Sequence, residues 1–336
     1  MRDRVSRHAG NVSNLVAWWE RHQIALYLAA IAAGVVLGLL TPGAAHPLEL
    51  AINPVLGLLL YATFLGVPFS MIGRAFRDMR FLSVVLVVNF VIAPVIVFCL
   101  SRFVAHDQAL LVGVLFVLLT PCIDYVIVFT GLAGGAKERL LAAAPILMLG
   151  QMLLLPAYLW LFVGPELVAA VDLAPFVDAF LLLIVLPLMA AGLTQYVASR
   201  TRWGRTLRDT ALAAMVPLMM LTLAVVVASQ VYGVSRQLPA LLATVPIYAA
   251  FAAVMIPVGI FAGRAARLDV SSTRAVVFSG ATRNSLVVLP LALALPTSFA
   301  LAPLAVVTQT LVELVAMVIF VRLIPRLVGD RRLATD

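Results

Sequence analysis

Three ionisable side chains stand inside long apolar stretches of this 336-residue chain: Asp124 in LLTPCIDYVIVFTGLAGG, Arg283 in SGATRNSLVVLP and Glu313 in TQTLVELVAM. A charge at the centre of a bilayer costs about 3 kcal/mol on insertion scales, so such groups default to function. The two carboxylates have the chemistry to exchange a proton, and the guanidinium has the fork geometry that grips an anion. Cys122, two residues before Asp124, supplies a soft sulfur ligand. Asp124 and Arg283 have opposite signs, and we expect them to neutralise one another as a gated or substrate-binding pair. The expected substrate-binding residues are Cys122, Arg283, Asn284 and Ser285, and the expected ion-coupling charges are Asp124, Arg283 and Glu313. Gln151 and Gln309 support them, and Gln309 lies one helical turn before Glu313. Asn53 and Asn89 are read as interhelical hydrogen-bond contacts rather than ligands.

The elements that must position these groups follow from hydropathy. Hydrophobic residues make up 64% of the chain and charged residues 11%, with mean hydropathy +1.12. Apolar runs of about 20 residues recur along the whole length, each long enough to cross a hydrocarbon core of about 30 Å. We expect an all-α integral membrane protein with spans at 23–42, 47–73, 81–101, 108–132, 138–163, 174–198, 209–230, 237–263, 271–296 and 299–325. The first run is too long for a signal peptide and lacks a small-residue cleavage site, so it is read as a span. With the N-terminus inside, 20 of the 23 Lys and Arg residues fall in inner loops and two, Arg102 and Arg236, fall outside. The net charge of +8 is therefore a topology signal and not a nucleic-acid footprint. Both termini are expected in the cytoplasm, with the chain a multi-pass protein of the cell (inner) membrane. Cys99 and Cys122 both lie in apolar spans, which does not suggest a disulfide framework.

The fifth span, APILMLGQMLLLPAYLWLFV from Ala144, matches the tenth, APLAVVTQTLVELVAMVIFV from Ala302, at an offset of 158 residues. Five helices per repeat is odd, so the halves enter the membrane from opposite sides, the inverted-repeat plan of secondary transporters. We divide the chain into a cytoplasmic segment 1–22, repeats 23–163 and 164–325, and a cytoplasmic tail 326–336. The same offset sets Pro121 on Ser279, Cys122 on Gly280 and Asp124 on Thr282. Both fourth helices of the repeats thus carry a polar interruption near mid-span, leaving half-helices of about 18 Å. In the first, Thr120 is expected to cap and Pro121 to open the second half-helix, with Cys122 and Asp124 in its anion-favouring first turn. In the second, Gly280 is expected to let the chain leave the helix, while Thr282, Asn284 and Ser285 satisfy freed backbone groups.

This plan resembles the bile acid:sodium symporter superfamily, and CIDYVIVFTGLAGG (Cys122 to Gly135) is similar to the C-I-x-x-V-I-V-W-x-x-L-A-x-G run of the arsenical-resistance permeases. LVELVAM (Leu311 to Met317) is similar to their L-V-E-V-P stretch and sets Glu313 on their acidic residue. The resemblance implies two crossing broken helices and arsenite export. One departure stands out: in both groups the ninth-span break carries a glutamate, whereas here that position is Leu286 and Arg283 appears nearby. A fixed guanidinium could fill the space of a coupling sodium ion, or hold an anionic substrate. The expected function is proton-coupled arsenite efflux, with Cys122 as the arsenic ligand and Asp124 or Glu313 exchanging the proton. The alternative is a sodium- or proton-coupled carrier of a small organic anion, with Arg283 reading its carboxylate. Its expected partners are thus that solute, the coupling proton or sodium ion and the lipid bilayer. No enzyme, cofactor or metal site is expected: His8, His22, His46 and His106 lie in loops or at span ends, and no Ser–His pair is apparent.

Overall fold

The computed structural model describes residues 2–66, 78–123, 125–164 and 181–329, and every regular element within them is helical. In chain order these are α1 (Arg2–Leu40), α2 (Ala45–Gly66), α3 (Met79–Val87), α4 (Ala93–Ser101), α5 (Gln108–Leu118), α6 (Tyr125–Leu132) and α7 (Lys137–Val163). There follow α8 (Leu186–Arg200), α9 (Arg202–Ala213), α10 (Met215–Arg236), α11 (Leu238–Leu242), α12 (Thr244–Ala265), α13 (Val270–Ala281), α14 (Ser285–Leu293) and α15 (Leu301–Leu327). Among the described residues seven helices are long and apolar enough to cross a membrane. They run over Arg21–Leu40, Pro42–Gly66, Met79–Val104, Lys137–Val163, Met215–Arg236, Leu238–Ala265 and Thr297–Leu327. The protein is thus an α-helical membrane protein. The fourth and ninth expected spans are each present as two short helices, α5 with α6 and α13 with α14, so neither is counted. Residues 67–73 of the second expected span and 174–180 of the sixth lie outside the described residues.

The chain packs as two units, Met1–Gly66 with Leu181–Ser235, and Val67–Phe180 with Arg236–Asp336. Each unit draws helices from both sides of residue 164. In the first, α1 meets α10 at glycines: a Cβ on Gly34 would lie 2.7 Å from Ala224 O. The same unit joins α2 to α8 through Tyr61 Oη and Thr194 Oγ1 at 2.9 Å, and through Gln195 Nε2, which donates to Leu65 O at 3.1 Å. Small residues at crossings and side-chain hydrogen bonds are how helices associate where burial from water supplies no drive.

The second unit holds both broken helices. A Cβ on Gly259 would lie 2.8 Å from Val277 Cα, which seats α12 directly on α13. A Cβ on Gly113 would lie 2.7 Å from Ala302 O, which seats α5 on α15 in the same way. Between α3 and α4 the helix widens into a π turn at Val88–Ile92. Pro94 is the cause within reach: it offers no N–H to the carbonyl four residues back, Phe90 O. Tyr158 Oη donates to that carbonyl at 2.5 Å instead. The π turn carries Asn89, which is fully buried.

Candidate functional site

Each half of the second unit's core contains a helix that starts on an aspartate and stops in mid-span. Asp107 accepts from the amides of Ala109 and Leu110 and opens α5; Asp269 accepts from Ser272 N and opens α13. Burial alone would raise the Asp269 carboxyl, but the Ser272 amide, the Ser271 and Ser272 hydroxyls and Arg139 together hold it below the usual range. Arg139 also ties Asp269 to Asp78, with contacts of 3.1 and 3.3 Å. The far ends stop on threonines. Thr120 Oγ1 donates back to Phe116 O at 2.9 Å, and Thr282 Oγ1 donates back to Phe278 O at 2.8 Å.

Past those threonines the two chains pair with each other. Cys122 N donates to Thr282 O at 3.3 Å, Asn284 N donates to Thr120 O at 2.8 Å, and Pro121 and Arg283 form an antiparallel bridge between them. Each break therefore satisfies backbone groups of the other, as irregular backbone inside a membrane requires. The bonds also set the register. Residue 120 corresponds to 282 and 122 to 284, a separation of 162 in both cases, and the capping residues 107 and 269 agree. That separation exceeds by four residues, about one helical turn, the offset of 158 read between the fifth and tenth spans. A shift of four residues returns an α-helix close to the same face, so apolar patterning cannot tell the two registers apart.

This pairing corrects several expectations. Thr120 and Pro121 do not open the second half-helix: Thr120 closes α5, and α6 begins only at Tyr125. Cys122 lies in the extended crossing rather than in a first helical turn. Gly280 is not an exit but an internal residue of α13, where a Cβ would come within 2.8 Å of Val88 Cγ1. The chain leaves the helix at Thr282, which is extended, and Asn284 caps α14 by accepting from Val287 N at 3.3 Å. Asp124 lies outside the described residues.

Arg283 is 0% exposed. Its Nη2 donates to Asn89 Oδ1 at 3.1 Å and to Gly280 O, and its guanidinium carbon lies 4.8 Å from the centre of the Phe251 ring. Among the described residues no carboxylate comes within ion-pair distance of it, and its Nε and Nη1 have no partner. Among the described residues Asn284 Nδ2 is likewise buried without a partner, while Ser285 Oγ lies beside the Tyr125 hydroxyl. Asn89 holds its own place through bonds of 3.0 Å to Ser279 Oγ and Val85 O. Glu313, 4% exposed, is fully engaged. One oxygen accepts from Tyr125 Oη at 2.7 Å, the other from Arg283 N at 2.8 Å and from Gln309 Nε2. The expected association of Gln309 with Glu313 is thus present, and Gln309 Oε1 has no partner among the described residues. Cys122 is 0% exposed and sits within electrostatic reach of Arg283 and Tyr125. Gln151, 2% exposed, bonds to neither group.

Sequence reasoning passed over Tyr125, Phe251 and Ser279; it read Asn89 as an interhelical hydrogen-bond contact, which the bonds to Ser279 and Arg283 bear out, but not as a partner of the Arg283 guanidinium. Asn89 had one local signal, a proline five residues later that distorts its turn. Tyr125 and Phe251 had none, since a midspan aromatic is ordinary core in most helices.

The model of the sodium bile acid symporter family matches residues 53–237. The chain belongs to the sodium bile acid symporter family. The match spans α2 to α10 and includes the first break, while Arg283 and Glu313 lie beyond it. Among curated proteins no match is found. This symporter-family chain is therefore a multi-pass membrane protein of the transporter kind. Among the described residues Gln309 Oε1 is left open beside the crossing, and an amide oxygen is a donor type that a hard cation takes. Among the described residues no cluster of His, Cys, Asp and Glu has the makings of a metal site.

Proposed function

We propose that this chain is a sodium-coupled secondary carrier of a small organic anion across the cell membrane, with the solute's carboxylate taken by Arg283. The observation that carries this reading is a fully buried guanidinium with two nitrogens unspent among the described residues, beside Asn284 Nδ2 in the same condition. Three donor atoms on two consecutive residues suit a carboxylate, whose two oxygens accept about four hydrogen bonds. A carboxylate bound there satisfies those nitrogens directly, whereas Glu313 reaches the guanidinium only electrostatically and has its oxygens taken by other donors. Family membership and the open Gln309 Oε1 beside the crossing support sodium coupling. Glu313, whose oxygens are taken by three of the chain's own donors, acts by holding the break in shape.

Vesicle uptake of a radiolabelled carboxylate panel tests this reading. Wild-type uptake should require an inward sodium gradient, and Arg283→Gln should lose it by at least 100-fold. Equal uptake by Arg283→Gln, or uptake sustained by a proton gradient alone, refutes the corresponding half of the proposal.

A second reading, proton-coupled arsenite efflux with Asp124 or Glu313 exchanging the proton, is favoured by one observation, the buried Cys122 at the crossing itself. Neutral arsenite carries a soft arsenic centre suited to sulfur. Against it, the other cysteine, Cys99, is exposed, so the crossing offers a single thiol. Cys122→Ser in arsenite-sensitive cells decides it: unchanged tolerance removes the thiol from the mechanism.

A further inference from the structure

Gln151 presents, beside Arg283, a second unsolved hydrogen-bonding problem in the second unit. It sits midway along α7, is 2% exposed, and neither Nε2 nor Oε1 has a partner among the described residues. An unpaired amide in an apolar interior is costly, and inside a membrane no bulk water relieves it.

Its counterpart shows what is missing. α7 packs on the halves α5 and α6 of one broken helix, and α15 packs on the halves α13 and α14 of the other as well as on α5. The separation of 162 set by the crossing places Gln151 on Glu313, and the sequence offset of 158 places it on Gln309. Either way it falls on the turn of α15 that supports the second break. There, Glu313 accepts the Arg283 N–H, the Tyr125 hydroxyl and the Gln309 amide. In the first half the residue matching Arg283 is Pro121, which has no N–H to give. The backbone that satisfies one side of the crossing therefore leaves the other side unsatisfied.

We infer that Gln151 belongs to the solute site and takes an uncharged hydrogen-bonding group of the solute, a hydroxyl, which both donates to Oε1 and accepts from Nε2. This rests on the reading of Arg283 as the carboxylate-binding residue, and it narrows the solute to small hydroxy acids. Arg283 sets the charge requirement, and Gln151 sets the preference for a hydroxylated chain.

The test uses purified full-length protein and Gln151→Met, which keeps the side chain's length and removes its hydrogen bonds. Without solute, Gln151→Met should unfold at the same temperature as wild type or a few degrees higher, because an unpaired polar group is gone. A drop of several degrees would identify Gln151 as an ordinary interhelical contact and overturn the inference. Binding is then read with three pairs of probes: acetate and glycolate, propionate and lactate, butyrate and 3-hydroxybutyrate. Wild type should bind the hydroxy acid at least fivefold tighter within a pair, and Gln151→Met should reduce that preference below twofold. A preference that survives in Gln151→Met overturns the inference. Arg283→Gln should lose all six probes; if it binds them as wild type does, the Arg283 reading fails while the Gln151 result stands. Wild type that binds none of the six overturns both.

Discussion

Replacing Tyr125 by Phe removes a single hydroxyl, and its consequence can be set against an internal control. Tyr125 Oη donates to Glu313 Oε1 at 2.7 Å and lies 3.3 Å from Arg283 O. Tyr248, equally buried in the same unit, donates to a neutral acceptor, Ala305 O, at 3.0 Å. A hydrogen bond to a charged group contributes about 1.5–3 kcal/mol net, and one between neutral groups about 0.5–1.5 kcal/mol. Losing the Tyr125 hydroxyl also leaves one Glu313 oxygen without a donor among the described residues. Tyr125→Phe should therefore cost about 1 kcal/mol more than Tyr248→Phe. For a cooperative unit of about 150–250 residues that difference is a Tm gap of roughly 2–4 °C. Thermal unfolding of wild type and both variants in one detergent measures it. Since Glu313 also accepts the Arg283 amide, Tyr125→Phe should depress solute uptake well beyond Tyr248→Phe. If Tyr125→Phe is no less stable than Tyr248→Phe and transports normally, the Tyr125–Glu313–Arg283 linkage does not support the crossing.

Gly113→Val should lower stability by more than 2 kcal/mol in the same melting assay, because its Cβ would stand 2.7 Å from Ala302 O, a backbone atom that has no rotamer to yield. Gly192→Ala, where nothing lies within 4 Å, should be neutral or slightly stabilising; equal losses at both sites would dismiss close helix approach as the reason for Gly113. Asp269 has a folded-state pKa below its unfolded value, so its contribution is present above pH ~4 and fades as pH falls through the folded value. Asp269→Asn keeps the cap but cannot titrate, so its stability should fall less than wild type's between pH ~4 and ~2, whereas Asp269→Ala should lose about 1 kcal/mol at neutral pH. Parallel acid curves for wild type and Asp269→Asn would show that the carboxylate's hydrogen bonds do not matter.

Much of the fold was legible in the chain because membrane insertion is a local test. Any run of about 20 apolar residues passes it, whatever the rest of the protein does. The same locality located the breaks. Pro121 and the polar residues around Cys122 and Arg283 mark where a helix in hydrocarbon must be interrupted, and the helices do stop at Leu118 and Ala281. The local roles within each break were harder to read. Thr120 has the side chain of an N-cap, yet the same hydroxyl serves as well bonding back to Phe116 O, and its own sequence neighbourhood does not choose between the two.

Alone, then, the sequence determined that the chain crosses a membrane, that two of its helices break near mid-span, and that Arg283 and Glu313 lie within apolar surroundings. Only the tertiary structure decided which atoms meet. The register of the crossing, the acceptors of the Arg283 guanidinium and the three donors on Glu313 each join segments 30 to more than 190 residues apart, apart from the local bonds to Gly280 and Gln309. Such contacts leave no periodic trace along the chain, because one turn of helix more or less preserves the apolar face while exchanging every hydrogen-bonding partner.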